Sequence, residues 1–373
     1  MSYITLHESK LRHNFRVLDR LFQQNDIEWA VVAKLLCGNE KFLKVLLDVS
    51  DKEICDSRLS NLKAVKKISP DTQTIYIKPP AKRLAAGIIA FADVSFNTEL
   101  ATLQVLSEEA VRQNKIHRVV LMVEMGELRE GIMARNLMQF YDEVVGLPNI
   151  DVVGIGTNLK CLNGILPDEK KLYKLSRFKQ IVEEHSGEKI PYISGGSSVT
   201  IPLLTRKEIP LGINHFRVGE TLFFGTDVYD DAQMEGMYHD VFTLTAEIIE
   251  MQEKPNLPSG TAGTNLTGEK PDFGEVGEAG TSYRAILDIG LLDIDYRDII
   301  PLIPTVEMLG ASSDMLVIDL GENTGNLAVG DTIDFSMNYM AVLRAMNSDY
   351  VDKKIDRSAV QMNPASVHHF SKN

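Results

Sequence analysis

The sequence predicts an α/β protein: a (β/α)8 TIM barrel followed by a mostly β C-terminal domain. Three observations lead there. Up to Gly225, short β-rich runs alternate with amphipathic helical stretches; beyond it, strand-like runs follow one another without long helices between them. The length, 373 residues, exceeds one ordinary core and suits two domains.

Eight candidate strands cover 27–33, 53–56, 74–78, 92–97, 117–125, 152–158, 192–195 and 215–222. Trp29-Ala-Val-Val-Ala33 and Val119-Val-Leu-Met-Val123 are continuously apolar, as strands buried on both faces of a parallel sheet are. Between the strands, Phe42, Val45 and Leu46 recur at helical spacing, as do Leu59, Leu62 and Val65. Asn97-Thr98 can cap a helix carrying Leu100, Leu103 and Leu106. Eight such units make a closed barrel, with an open doubly wound sheet as the alternative that periodicity alone allows. Later strands are expected at 241–251, 284–289, 315–320 and 332–337. Residues 255–281, rich in Gly, Pro, Thr and Asn, read as a long loop. The barrel is expected over 8–228 and the β domain over 229–355, to which residues 1–7 can add a strand; 356–373 read as a polar, flexible tail.

Composition excludes several classes. A net charge of −13 argues against nucleic acid, whose phosphates need a basic surface. No apolar run reaches the roughly 18 residues of a membrane span, and the N-terminus lacks a signal-peptide pattern. Cys37, Cys55 and Cys161 are too few and too scattered for a disulfide framework or a metal knuckle, so reduced thiols in a cytoplasm are expected.

In a barrel, chemistry gathers at the carboxyl ends of the strands. Lys34 ends the first strand after five apolar residues, where desolvation would favour a neutral, nucleophilic amine; position alone favours the plainer reading of a lysine that snorkels to solvent. Ser194-Gly-Gly-Ser-Ser198 follows the seventh strand. Its glycines let backbone amides approach a phosphate and the Ser197 and Ser198 hydroxyls can donate to it, although a flexible turn has the same composition. The eighth strand carries Phe216-Arg217-Val218-Gly219. Arg217 needs an anion or a lone pair, since it cannot deprotonate, or it pairs with Glu220 at the surface. Arg129, after the fifth strand, is another cation at that rim or one more solvated charge. A Schiff-base lysine, a phosphate loop and an arginine facing a heteroaromatic ring are the parts of a pyridoxal 5'-phosphate (PLP) site.

With those residues in place, the chain resembles the alanine racemase family, PLP enzymes of fold type III, and within it the ornithine racemase branch, over about residues 3–355. Val31-Val-Ala-Lys34, Leu128-Arg-Glu-Gly131, Ser194-Gly-Gly-Ser-Ser198 and Phe216-Arg-Val-Gly219 carry the likeness in the barrel. Arg284-Ala-Ile-Leu, Gly290 and Gly310-Ala-Ser-Ser-Asp314 carry it in the second domain, and Lys34-Leu-Leu-Cys-Gly-Asn39 is most specific to the branch.

The resemblance implies a PLP-dependent amino-acid racemase working as a head-to-tail homodimer. Lys34 would hold the cofactor and act as one base. Ser197, Ser198 and Gly219 would bind the phosphate and Arg217 the pyridine nitrogen. Asn158 stands where the family has a histidine against the ring. Arg129 and the Ser313 backbone would hold the substrate carboxylate. The family's second base, a tyrosine, corresponds to Leu291, which leaves that role open among Asp293, Asp295 and Cys161. Asp293, Asp295 and Asp314 could instead receive a terminal ammonium, as ornithine or a related basic substrate requires. Other readings are an alanine racemase of broad specificity, a basic amino-acid decarboxylase, a non-catalytic PLP-binding protein and a cofactor-free aldolase. Arg217 argues against the decarboxylase, which would meet the ring nitrogen with a carboxylate. The β domain argues against the carrier.

Overall fold

The computed structural model describes residues 2–264, 268, 270 and 280–359. It divides into two compact units, Ser9–His239 on one hand and the chain before Ser9 with the chain from Asp240 on the other. The expected boundary after residue 228 falls inside the first unit.

Tyr3–His7 (β1) belongs to the second unit. The first unit is a closed parallel barrel of eight strands: β2 (Glu28–Val32), β3 (Ile54–Asp56), β4 (Thr74–Tyr76), β5 (Val94–Asn97), β6 (His117–Met122), β7 (Ile150–Gly156), β8 (Tyr192–Ser197) and β9 (His215–Val218). Barrel closure is therefore real, and the open sheet is excluded. Ala30, Val32, Cys55, Ile75, Val94, Phe96, Val120, Met122 and Val153 form one buried cluster inside it. Alternate residues of the same strands, such as Val31 and Val119, are fully buried on the opposite face. That double burial is why these strands read as unbroken apolar runs.

The helices outside follow their sequence signals, with one exception. Asn39 caps Glu40–Val49 by accepting from Phe42 N at 3.1 Å, and Asp168 caps Glu169–Ser186 by accepting from Lys171 N at 2.7 Å. The helix Leu100–Arg112 has no side-chain cap. Asn97, expected to supply one, donates instead to Ser95 O at 3.0 Å and Ser95 Oγ at 2.9 Å. After β9 comes a two-stranded ribbon, β10 (Thr226–Asp227) with β11 (Ala232–Gln233).

The second unit is an eight-stranded sheet. Its strands are β1, β12 (Phe242–Pro255), β13 (Thr281–Leu287), β14 (Ile299–Pro301), β15 (Glu307–Ala311), β16 (Leu316–Asp319), β17 (Thr332–Met337) and β18 (Asp352–Asp356). β1 pairs antiparallel with β12 and parallel with β18. β14, β15, β18 and the helix Tyr339–Asn347 go beyond the sequence reading. β14 is three residues ending in proline, β15 contains Gly310 at φ +153°, and β18 reads Asp-Lys-Lys-Ile-Asp, a polar pattern that suits a sheet margin. Asp356, expected in the tail, ends β18 and pairs with His7 Nδ1 at 2.9 Å. The rest of the expected tail, from residue 360, lies outside the described residues, as do 265–267, 269 and 271–279 of the expected loop. No described helix is long and apolar enough to cross a membrane.

Candidate active site

The strand register brings the sequence-predicted residues of the barrel to one end of it. β9 lies between β8 and β2: Ser197 is level with Arg217, and Arg217 with Ala30. The carboxyl ends of these strands therefore carry Ser197-Ser198, Gly219 and, two residues past β2, Lys34. Gly219 sits in a tight spot, where a Cβ would lie 3.1 Å from both the carbonyl oxygen and the Cβ of Val32. A Cβ at Gly196 would sit 2.2 Å from the Phe216 ring.

Lys34 opens a single 3-10 turn, Lys34–Leu36, that leaves the sheet as soon as Ala33 N has bonded Cys55 O at 2.9 Å. The turn closes on Cys37 in the left-handed region at φ 49°. Lys34 is exposed in this unit. Lys34 thus stands on the turn after the strand and not within the buried run before it.

Arg217 is the opposite case. Only 6% exposed, it donates from Nη1 to Ser194 O at 2.9 Å and Ser194 Oγ at 2.5 Å, and from Nη2 to Thr157 O at 2.8 Å. Its guanidinium carbon lies 5.2 Å from the centre of the Phe96 ring inside the barrel. Arg217 is an interior cation, not half of a surface pair. Burial pulls its pKa below the ordinary guanidinium value, but so strong a base keeps its proton.

Ser198 Oγ accepts from Gly219 N and Thr221 N, both at a long 3.3 Å, and Ser197 caps the short turn Ser198–Thr200. Asn158 follows β7, and its Nδ2 is buried with no hydrogen-bond partner among the described groups. A buried donor left unpaired is costly, and a bound acceptor would relieve it. Arg129 is exposed and held by Glu130, with Nη2 to Oε1 at 2.6 Å; that carboxylate raises its pKa, with Cys161 adding to the shift. The Cys161 loop is built on Glu127, 1% exposed, whose carboxylate accepts from Lys160 N at 3.2 Å, Leu162 N at 2.5 Å, Asn163 N at 2.9 Å and Ile165 N at 3.0 Å.

The remaining candidates belong to the β unit. Leu291 N and Leu292 N donate to Ser312 O and Ser313 O, both at 2.9 Å. The 290–293 and 312–314 segments are thus one paired edge, close enough that a Cβ on Gly290 would lie 2.3 Å from Ser313 O. Asp293 accepts from Ser348 Oγ at 2.5 Å. Asp295 is bound by Arg297 Nη2 at 2.7 Å and lies 3.4 Å from Arg344; the Arg297 hydrogen bond holds its carboxyl down at about 2. Ser313 and Asp314 are exposed and hydrogen-bonded to each other at 3.0 Å. Sequence reasoning placed Ser194 only in the phosphate-loop segment and missed Thr157 and His215, which with it surround Arg217, and Glu127, which anchors the Cys161 loop. Alternation along β9 offers a signal for one of them, since His215 and Arg217 share a face.

Comparison with known proteins now decides the family. Residues 6–227 match the family described as "Alanine racemase, N-terminal domain". The chain belongs to the alanine racemase family. Among its relatives, the ornithine racemase of Acetoanaerobium sticklandii is 35% identical over 353 residues, covering 94% of this chain and 99% of that protein. The lysine racemase of Thermotoga maritima is 29% identical over 355 residues, covering 95% and 98%. In fold the chain is similar to the alanine racemase of Clostridium difficile 630, with a TM-score of 0.71 at 16% identity, covering 97% and 98% of the two chains. Alanine racemase family membership thus extends over a barrel and a β unit together.

Proposed function

We propose that the protein is a PLP-dependent racemase of ornithine or a related basic amino acid, working in the cytoplasm as a homodimer. The observation that carries this reading is the register that sets Lys34, Ser197-Ser198 and Arg217-Gly219 on adjacent strands at the same barrel end. The ornithine and lysine racemases similar to it along nearly the whole chain support the choice of substrate class.

The donor set fits PLP. Lys34 would hold it through its amine, and Ser197, Ser198 and the Gly219 N–H would take the phosphate. Arg217 would meet the ring nitrogen, with Asn158, whose buried Nδ2 lacks a partner, beside the ring. Bound there, the cofactor supplies an electron sink that acidifies the substrate Cα–H. Lys34 takes that proton from one face of Cα or returns it to that face. Arg217 can only donate, so the nitrogen it faces stays unprotonated, which tempers electron withdrawal and disfavours transamination. Arg129 orients the substrate carboxylate, with the Ser313 backbone. The group acting on the other face comes from Asp293, Asp295 or Cys161. Asp295, bound by Arg297 and facing Arg344, is the most committed of the two aspartates, and Asp314 remains a candidate for the substrate's distal ammonium.

The test is a panel of L-amino acids incubated with the purified protein and analysed for D-enantiomer by chiral chromatography. Ornithine or lysine should racemise fastest; turnover confined to alanine, or release of carbon dioxide from ornithine, would overturn the reading. For the dimer, a Lys34→Ala protein mixed with a double variant at Asp293 and Asp295 should regain activity on subunit exchange. Full activity in a verified monomer would exclude the shared site.

A further inference from the structure

Arg217 does not stand alone inside the barrel. Ser194 Oγ, which accepts from its Nη1 at 2.5 Å, lies 2.7 Å from His215 Nδ1. His215 is 3% exposed, two residues before Arg217 on the same face of β9. Its Nε2 is buried without a hydrogen-bond partner among the described groups and sits 3.6 Å from Glu53 Oε2. The Tyr192 ring packs edge-on at 5.3 Å.

The proton positions in this chain are constrained. A guanidinium only donates, so Ser194 Oγ spends a lone pair on Arg217. A second lone pair remains on Ser194 Oγ, but among the described groups only His215 Nδ1 lies within reach as an acceptor for its hydrogen, which favours an unprotonated Nδ1. That arrangement corresponds to a neutral imidazole with its hydrogen on Nε2, facing Glu53.

We infer that His215 is a positioning residue for Arg217, fixing through Ser194 the direction in which the guanidinium presents its donors, and that it does so only while its ring is neutral. This rests on the reading of Arg217 as the partner of the ring nitrogen. Protonation would turn Nδ1 into a donor. Ser194 Oγ would then face two donors with no acceptor for its own hydrogen, and the seat of Arg217 would loosen. The charged groups facing the ring are Glu53 at the start of β3, Glu28 on β2 and Arg217 on β9; Tyr192 faces it from β8. Burial, aided by Arg217, outweighs the two glutamates and keeps His215 below the ordinary histidine range, so the relay opens only on the acid side.

Three measurements test this. In the apo-protein, 15N-histidine spectra should show His215 as the Nε2–H tautomer at neutral pH; the Nδ1–H tautomer or a charged ring would overturn the inference with no variant needed. In the holoenzyme, His215→Leu removes the acceptor and should raise the ratio of transamination to racemisation roughly tenfold, the scale of one buried hydrogen bond left unmade. His215→Asn, whose Oδ1 can accept from Ser194, should return the ratio to within about twofold of wild type. Equal behaviour of the two variants would contradict the relay. Arg217→Lys separates the failures. If it shifts the ratio and His215→Leu does not, the relay is wrong and the role of Arg217 stands. If neither does, Arg217 is not the ring partner.

Discussion

Two histidine–serine pairs occupy the barrel in matching positions and lead to different ends. His117 opens β6 and lies 2.7 Å from Ser95 on β5; His215 opens β9 and lies 2.7 Å from Ser194 on β8. Each serine then meets a donor nearer the carboxyl end, Asn97 Nδ2 in the first case and Arg217 Nη1 in the second. What separates them is strand parity. Ser95 lies between Val94 and Phe96, both members of the interior cluster, so Ser95 and Asn97 face the helices. Arg217 is level with Ala30, also of that cluster, so His215 and Arg217 face inward. A similar serine–histidine pair lies under the helix layer in one case and, one step of strand parity away, faces the barrel interior with Arg217 in the other.

The sharpest way to break this comparison is at the mouth itself. Lys34→Ala should take racemisation to background and abolish near-visible PLP absorbance, while the fold, followed by circular dichroism, is retained because Lys34 is exposed. Persistent turnover in that variant would remove the inner face's claim to the chemistry. Next in size is Arg217→Lys, which keeps the charge but loses the fork that binds Ser194 O, Ser194 Oγ and Thr157 O together. Racemisation should fall by about 10- to 100-fold, with a stability loss of about 1–3 kcal/mol from carbonyls left unpaired in the interior. Unchanged turnover and an unchanged cofactor spectrum would make the inner trio as structural as the outer one.

How much of this is legible in the sequence depends on where the physics is local. The barrel strands are readable because both faces are buried; Lys34 stands out because it ends an apolar run, Ser198 because it closes a Gly/Ser segment after a strand, and Arg217 because it is a charge inside a strand. The inner relay is not, since a bulge shifts the β8–β9 register between Ser194 and Gly196, and only the paired structure brings Ser194 against His215. The exposure of Lys34 is also hidden, because it depends on a 3-10 turn that starts at Lys34 itself. In the β unit, short strands such as Ile299–Pro301 form through pairing partners distant in sequence, which no local pattern reports.

The outer pair predicts a pH effect instead of a catalytic one. Burial lowers the His117 pKa from an ordinary 6.5 to about 4, with Arg118 and Lys115 adding to the shift and Asp93 opposing it. The unfolded chain therefore takes up this proton first. The stability that neutral His117 contributes is present above pH 6.5 and is lost as pH falls toward 4; the loss is on the order of 3 kcal/mol at most. Urea unfolding at pH 7 and pH 4.5 should show that His117→Gln flattens this slope while leaving racemisation at pH 8 near wild type. An identical slope in the variant would assign the acid sensitivity to other groups.

The smallest effect is expected at the outer trio's far end. Asn97 is fully buried and donates twice, to Ser95 O and Ser95 Oγ, but its Oδ1 has no partner among the described groups. Asn97→Leu preserves the volume, gives up those two hydrogen bonds and removes the unpaired acceptor. Each lost bond costs about 1 kcal/mol net, while deleting a buried unsatisfied acceptor returns roughly 1–3 kcal/mol. The two contributions nearly cancel, so the midpoint of chemical unfolding should move by no more than the equivalent of about 1 kcal/mol in either direction. Racemisation should be unaltered, because this side chain faces the helices. A fall in activity without a fall in stability would place Asn97 on the inner, reacting side and erase the distinction drawn between the two trios.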